Sequence, residues 1–126
     1  MTRRGLLLFA HGARDPRWAE PFEAVVQRAR AQDAGVQVRL AFLELMAPSM
    51  PQAGADLAGA GCERVDIVPL FLGAGGHVRK DIPALVDALR AAWPQVRWTL
   101  RPAIGESPLL IEAMADVALG HAREPD

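Results

Sequence analysis

The sequence predicts an α/β protein, flavodoxin-like, with a four-stranded parallel sheet in the order 2-1-3-4 and helices on both faces. Four short apolar runs are bounded by Gly, Pro and polar residues, as is typical of buried parallel strands. Each run is followed by a segment with helical spacing, and strands joined by helices pair in parallel through right-handed crossovers. The length of 126 residues suits one domain spanning 1–126.

The first two strands and the helix between them are predicted from apolar spacing. We place the first strand at Leu6–Ala10, a helix at Pro16–Arg30 and the second strand at Val36–Leu43. Proline is tolerated in the first helical turn, so the regular part of the helix should begin near Pro21. The apolar residues of this helix that we expect to pack on the sheet are Trp18, Phe22, Val25, Val26 and Ala29.

The middle of the chain carries clear helix start and stop signals. The segment Ala47–Pro51 opens the second helix, with Ser49 as its N-cap, and Gly61 ends it. The third strand follows at Val65–Leu70. Cys62, between the two elements, is expected to be a small buried filler.

The third helix is predicted to end by Trp93-Pro94, with Pro83 in its first turn and His77 on the preceding loop or at the helix entrance. Its apolar face comprises Val78, Ile82, Leu85, Val86, Leu89 and Trp93. The fourth strand is placed at Val96–Leu100. Ser107-Pro108 predicts the start of the last helix, which should run to about Leu119 before a fraying polar tail that holds His121.

Composition narrows the classes of function. A net charge of −1 argues against electrostatic binding of nucleic acid. No stretch approaches the roughly 20 apolar residues of a membrane span. A single cysteine excludes an internal disulfide and fits a reducing, cytoplasmic location.

Two histidines follow neighbouring strands of the predicted sheet. His11 comes directly after the first strand and His77 follows the third, and in the order 2-1-3-4 these strands are adjacent. Imidazole is a common ligand of Zn, Cu, Fe and Ni, so the pair predicts a metal-handling site at the carboxyl edge. Glu44, after the second strand, would add a carboxylate there. Alternatively, each histidine is an ordinary loop residue and Glu44 a solvated charge.

The loops at this edge also suit an anionic ligand. The glycine-rich stretch 73–76 could cradle an anion with its backbone N–H groups, or could simply be a tight turn. It lacks the Gly-Lys-[Ser/Thr] of a phosphate-binding loop and is not a G-x-G-x-x-G motif. Arg14, Arg79 and Lys80 could pair with carboxylates of a ligand or could be solvated.

Three stretches of the chain resemble the small, single-domain CbiX-type sirohydrochlorin chelatases, a class II chelatase family. These stretches are Phe9–Asp15, then Ala41–Glu44 with Pro48-Ser49, then Val68–Leu72 with Gly75-Gly76-His77-Val78 and Asp81-Ile82-Pro83. The first motif departs from the family's common Ser-His-Gly-Ser-Arg, because Ala10 and Ala13 replace both serines. That change removes two hydroxyl contacts but leaves the histidines.

The resemblance implies a chelatase that inserts cobalt, iron or nickel into sirohydrochlorin during cobalamin or sirohaem biosynthesis. It implies that His11 and His77 are the metal ligands. We expect these two histidines to be catalytic, with Glu44 assisting as a proton acceptor or an outer ligand. Arg14, Arg79, Gly75 and Gly76 would contact the carboxylates of the substrate. The resemblance implies a homodimer and no organic cofactor, the divalent metal being a substrate.

Two other functions remain compatible with the predicted fold. A phosphoryl-transfer enzyme of the histidine phosphatase kind usually carries Arg-His-Gly, whereas Ala10 precedes His11 here. A flavodoxin-like binding module or metal carrier without turnover would share the sheet order. The loop at 11–14 is poor in the hydroxyls that flavin phosphate binding usually uses, so a carrier is the stronger of these alternatives.

Overall fold

The sheet has the predicted parallel architecture. The computed structural model describes residues 2–73 and 75–126, and all of their side chains except that of His77. The strands are β1 (Arg4–Ala10), β2 (Val36–Phe42), β3 (Arg64–Pro69) and β4 (Arg97–Leu100). The α-helices are α1 (Glu20–Gln32), α2 (Met50–Gly59), α3 (Gly76–Ala92) and α4 (Pro108–Ala122). The strand order is β2-β1-β3-β4, which confirms the predicted order.

Strand register brings the carboxyl ends of β1, β2 and β3 to one level. Ala10 pairs with Phe42 of β2, and Phe9 pairs with Pro69 of β3. The backbone ladder continues past β2, because the Leu43 amide donates to the Ala10 carbonyl oxygen at 2.9 Å. The loops that leave these three strands therefore start side by side.

The larger part of the core lies between the sheet and the helices α2 and α3. Its fully buried side chains include Leu7, Phe9, Leu57 and Ile67. Cys62 is buried in the same cluster, as predicted, and burial raises the pKa of its thiol. Burial of apolar side chains such as these contributes about 1.5–3 kcal/mol each to folding.

The opposite face of the sheet is covered by α1. Val26 packs there on Leu8 and Val38. The segment before α1 is a separate 3-10 helix, Pro16–Ala19, which Asp15 caps by accepting from the Arg17 amide. Pro21 lies in the first turn of α1, as predicted. The prediction for Val25 was wrong: its side chain is 45% exposed, because the face of α1 that meets the sheet is narrower than the spacing suggested.

Helix α2 begins with the predicted cap. The Ser49 side chain accepts from the Gln52 amide, and the Gln52 side chain accepts from the Ser49 amide, which completes a capping box. After the helix, Gly61 has a φ of +84°, a backbone conformation that residues other than glycine rarely adopt. Both predicted ends of this helix are confirmed within two residues.

The start of α3 differs from the prediction. Pro83 lies inside the helix rather than in its first turn, because the helix begins seven residues earlier at Gly76, with Gly75 as its N-cap. The interior proline lacks an N–H to donate to the preceding turn. Packing of Ile82, Val86 and Leu89 in the core outweighs that loss. His77 is at the helix entrance, in the second helical position.

Helix α4 continues to Ala122, three residues beyond the predicted end. It is almost entirely exposed, including large apolar side chains that the other helices would bury: Leu109, Ile111, Met114, Val117 and Leu119. Among residues 2–73 and 75–126, no helix is both long and apolar enough to cross a membrane.

Candidate functional site

His11 and Glu44 meet at the carboxyl edge of the sheet. The His11 ring follows β1 directly, and its Nε2 lies 3.0 Å from Oε1 of Glu44. The two side chains are 46% and 55% exposed, so a ligand can reach both. Exposed side-chain pairs contribute at most about 1 kcal/mol even when both groups are charged, so the contact orients the imidazole more than it stabilises the fold.

Backbone contacts hold His11 and Glu44 next to each other independently of their side chains. The Glu44 amide donates to the His11 carbonyl oxygen at 3.1 Å, which extends the β1–β2 ladder by one more bond. Gly12 lies beneath this contact with a φ of +100°. A Cβ atom on Gly12 would lie 1.8 Å from the Glu44 carbonyl oxygen, so only glycine fits at this position.

Phe71 forms the other wall beside His11. The two ring centroids are 6.3 Å apart in an edge-on arrangement with an interplanar angle of 65°. Phe71 is buried just after β3, and the Leu70 amide before it donates to the Phe9 carbonyl oxygen at 2.7 Å. Contacts with a buried aromatic ring and with a carboxylate therefore limit the orientations of the imidazole.

The sequence analysis assigns no role at the site to Phe71, which occurs there only within the stretch Val68–Leu72 of the family resemblance. The signal that could have found it is its position directly after the third predicted strand. The same rule identified His11.

The second predicted histidine is only partly described. The first turn of α3 follows the β3 loop, and His77 belongs to that turn. The His77 side chain lies outside the described residues, so the predicted meeting of the two imidazoles stays a prediction. Among the side chains that are described, no three His, Cys, Asp or Glu residues cluster as a ready-made metal site.

A cavity of about 300 Å³ opens at this edge between β3, α3 and β4. Phe71, which borders His11, contributes to its lining. Its walls are largely apolar, through Ile82, Pro83 and Leu100, and two arginines line it, Arg79 and Arg101. Arg101 donates to Oδ1 of Asp66 at 2.7 Å. Apolar walls with two cationic side chains suit a ligand that has an apolar body and negatively charged groups.

The other predicted contacts are distributed around the same edge. Arg79 was predicted and lines the cavity, whereas Arg101 was missed, although it directly follows the fourth predicted strand. Arg14 borders a second hollow, of about 290 Å³, on the α1 side together with Leu45. Gly75 and Gly76 are exposed at the start of α3.

Comparison with known proteins gives one consistent family. The CbiX family model matches residues 5–119. A sirohydrochlorin cobaltochelatase of Methanosarcina acetivorans is 33% identical over 88 residues, which cover 69% of this chain and 68% of that protein.

Solved structures agree on the fold. A CbiX protein of Marinobacter aquaeolei VT8, described as a putative cobalamin biosynthesis protein, superposes with a TM-score of 0.83 at 35% identity, over 94% of this chain and 97% of that one. SirB from Bacillus subtilis in complex with cobalt has a TM-score of 0.79 at 23% identity, and the match spans 93% of this chain but 52% of SirB.

Proposed function

Because the chain belongs to the CbiX family, we propose that it is a sirohydrochlorin chelatase, a lyase-type enzyme that inserts a divalent metal ion into the macrocycle. The observation that carries the proposal is the His11–Glu44 pair, held at the carboxyl edge beside the exit of β3. Cobalt is the favoured metal, because a relative above 30% identity is named a cobaltochelatase. Iron and nickel have similar preferences for imidazole ligands.

Metal insertion requires a site that binds the ion and then releases it. The ion must lose water, and two pyrrole N–H protons must leave as two metal–nitrogen bonds replace the N–H bonds. Neutral imidazole can bind the ion and can also accept a proton near pH 7. We assign both roles in sequence to His11: its unprotonated ring nitrogen binds the ion and takes up one pyrrole proton once the ion has moved to the macrocycle. His77 would be the second metal ligand and would take up the second proton in the same way. A loose site of this kind releases its ion more readily than a closed four-ligand cage.

Glu44 would assist His11 in the same step. Its carboxylate lies within hydrogen-bonding distance of His11 Nε2, so it can orient the ring and stabilise the imidazolium formed by proton uptake. Once an imidazole binds the ion, the carboxylate is also positioned to act as an outer ligand or proton acceptor.

The substrate is expected to bind along the edge that holds the 300 Å³ cavity. Sirohydrochlorin carries many carboxylates around a flat ring. Arg79 and Arg101 would pair with carboxylates at the cavity, and Arg14 would do so on the α1 side. The exposed backbone of Gly75 and Gly76 at the N-terminus of α3 favours a further negative group.

The Glu44→Gln variant tests the proposed function. Glutamine keeps the size of the side chain but cannot supply a negative charge, so we expect cobalt insertion to slow by about tenfold, a typical cost of losing a partner outside the direct ligands. The rate is measured from the change in the visible spectrum of sirohydrochlorin with added Co²⁺. Asp87→Asn is the matched control, since it removes an exposed carboxylate from a 2.9 Å pair with Arg90 on α3.

The outcomes of this assay separate enzyme from carrier. Turnover by the wild-type chain, with a slower Glu44→Gln variant and an unchanged Asp87→Asn variant, supports a chelatase. Stoichiometric retention of cobalt without any turnover would instead indicate a metal carrier.

We also propose that the protein works as a cytosolic homodimer that associates through α4. The helix exposes large apolar side chains on most of its circumference, and a helix of that kind is normally buried. The cobalt-bound SirB chain is about twice as long as this one, so two copies would match its length. Two copies of the sheet edge would enclose a flat macrocycle more completely than one.

The Val117→Glu variant tests the dimer. Val117 is 64% exposed on α4, and a buried glutamate there would weaken association strongly. Light scattering should give twice the 13.6 kDa chain mass for the wild type and the single mass for the variant. Val25→Glu, which changes a 45% exposed valine on α1, should stay dimeric. A wild-type protein of 13.6 kDa would contradict the proposed dimer.

A further inference from the structure

Three arginines form a row across the amino edge of the sheet. Arg4 on β1 pairs in register with Arg64 on β3, and Arg64 pairs in register with Arg97 on β4. In-register residues of neighbouring parallel strands point to the same face, so the three side chains are adjacent. The row lies at the end of the sheet opposite His11, which follows the carboxyl end of β1.

The burial pattern settles which face the row occupies. The residues that follow these arginines, Gly5, Val65 and Trp98, are all buried on the side of α2 and α3. Side chains alternate along a strand, so the arginines point to the opposite face, the one that α1 covers over β1 and β2. Arg64, in the middle, is half-buried, and the outer two are exposed.

Within the described part of the chain, none of the three guanidinium groups has a carboxylate within 4.0 Å or a hydrogen-bond partner. Asp66, an acidic strand residue on the same face, is already paired with Arg101. Like charges opposite one another on neighbouring strands are destabilising by up to about 1 kcal/mol. The row therefore keeps three positive charges together without compensation from these side chains.

A polar hollow adjoins the row. It measures about 690 Å³ and is lined by Arg64 and Arg97 together with Thr2, Gln95 and Glu63. Glu63 makes no ion pair with either arginine among the described residues. The hollow thus offers room for a ligand beside two of the three arginines.

We infer that this row and its hollow are a binding site for a small polyanion that carries two or more phosphate or carboxylate groups. Neighbouring strands are about 4.8 Å apart, so the row extends over roughly 10 Å. One phosphate or one carboxylate can bridge two neighbouring guanidinium groups but cannot reach all three. A diphosphate or a tricarboxylate spans the row, and each guanidinium can bind an oxygen pair in its planar fork.

Calorimetric titration with pyrophosphate, citrate and orthophosphate tests the site. At about 20 mM salt, where surface charges are weakly screened, pyrophosphate or citrate should bind the wild-type chain more tightly than orthophosphate. Tighter binding of pyrophosphate would identify the ligand class as phosphorylated compounds, and tighter binding of citrate would identify it as polycarboxylates. Arg64→Gln should weaken that binding by at least about tenfold, since it removes charge-assisted hydrogen bonds at the centre of the row.

Arg28→Gln is the matched control, because it removes the same charge from an exposed position on α1 and should leave the affinity unchanged. Without anion, Arg64→Gln should melt at or slightly above the wild-type temperature, since it relieves like-charge repulsion, and it should keep the wild-type rate of cobalt insertion. Equal binding by the wild type and Arg64→Gln would overturn the inference. The absence of binding by the wild type up to about 10 mM ligand would also overturn it.

Discussion

Replacing His11 by alanine is expected to lower the rate of cobalt insertion into sirohydrochlorin by at least about a hundredfold, the usual contribution of a positioned proton acceptor. The variant loses one ion ligand and one proton acceptor at once. Glu44 is left without its 3.0 Å partner at the carboxyl edge. The rate is read from the visible spectrum of the macrocycle at saturating Co²⁺.

The control for this prediction is the third histidine of the chain. His121 is 75% exposed on α4 and pairs only with Glu124, at 3.4 Å, among the described residues. His121→Ala should retain the wild-type rate, whereas His77→Ala should lose activity as His11→Ala does. Wild-type rates in both His11→Ala and His77→Ala would end the proposed mechanism.

The second large effect is expected at Gly12. Alanine would have to adopt a φ of +100°, and its Cβ would overlap the Glu44 carbonyl oxygen at 1.8 Å. The backbone must shift, so Gly12→Ala should lower the free energy of unfolding by at least about 2 kcal/mol. The shift separates His11 from Glu44, so the folded fraction should also lose most of its chelatase activity.

Urea unfolding and the chelatase assay together check the Gly12 prediction. Gly59→Ala in α2 is the control, because nothing lies within 4 Å of its added Cβ. It should leave activity intact and change the free energy of unfolding by less than about 1 kcal/mol. A Gly12→Ala variant with wild-type stability and activity would contradict the tight packing of the His11–Glu44 loops.

Much of the fold and half of the site follow from local signals in the sequence. Alternating apolar runs and helical segments predict the parallel sheet, and the sheet order then places His11 beside Glu44. The pairing of His11 with Glu44 could be predicted without side-chain coordinates, because the two residues follow adjacent strands whose carboxyl ends lie at the same level. Ser49 was likewise predictable, because its cap is formed with a residue three positions away.

The features that were missed depend on packing between distant segments. Pro83 is tolerated inside α3 because core packing of its neighbour Ile82 offsets the lost backbone hydrogen bond. That packing cannot be read from the local sequence. Arg101 faces a cavity formed by three elements, and the exposure of Val25 depends on how narrow the α1 contact is. Local propensity is overridden by tertiary context at such positions.

X-ray absorption of Co²⁺ bound to the chain tests most directly whether His11 and His77 hold the ion together. The account predicts two imidazole ligands in the wild-type protein and one in either His11→Ala or His77→Ala, with the His121→Ala spectrum unchanged. An unaltered imidazole count in the His11→Ala and His77→Ala proteins would place the ion elsewhere and contradict the account.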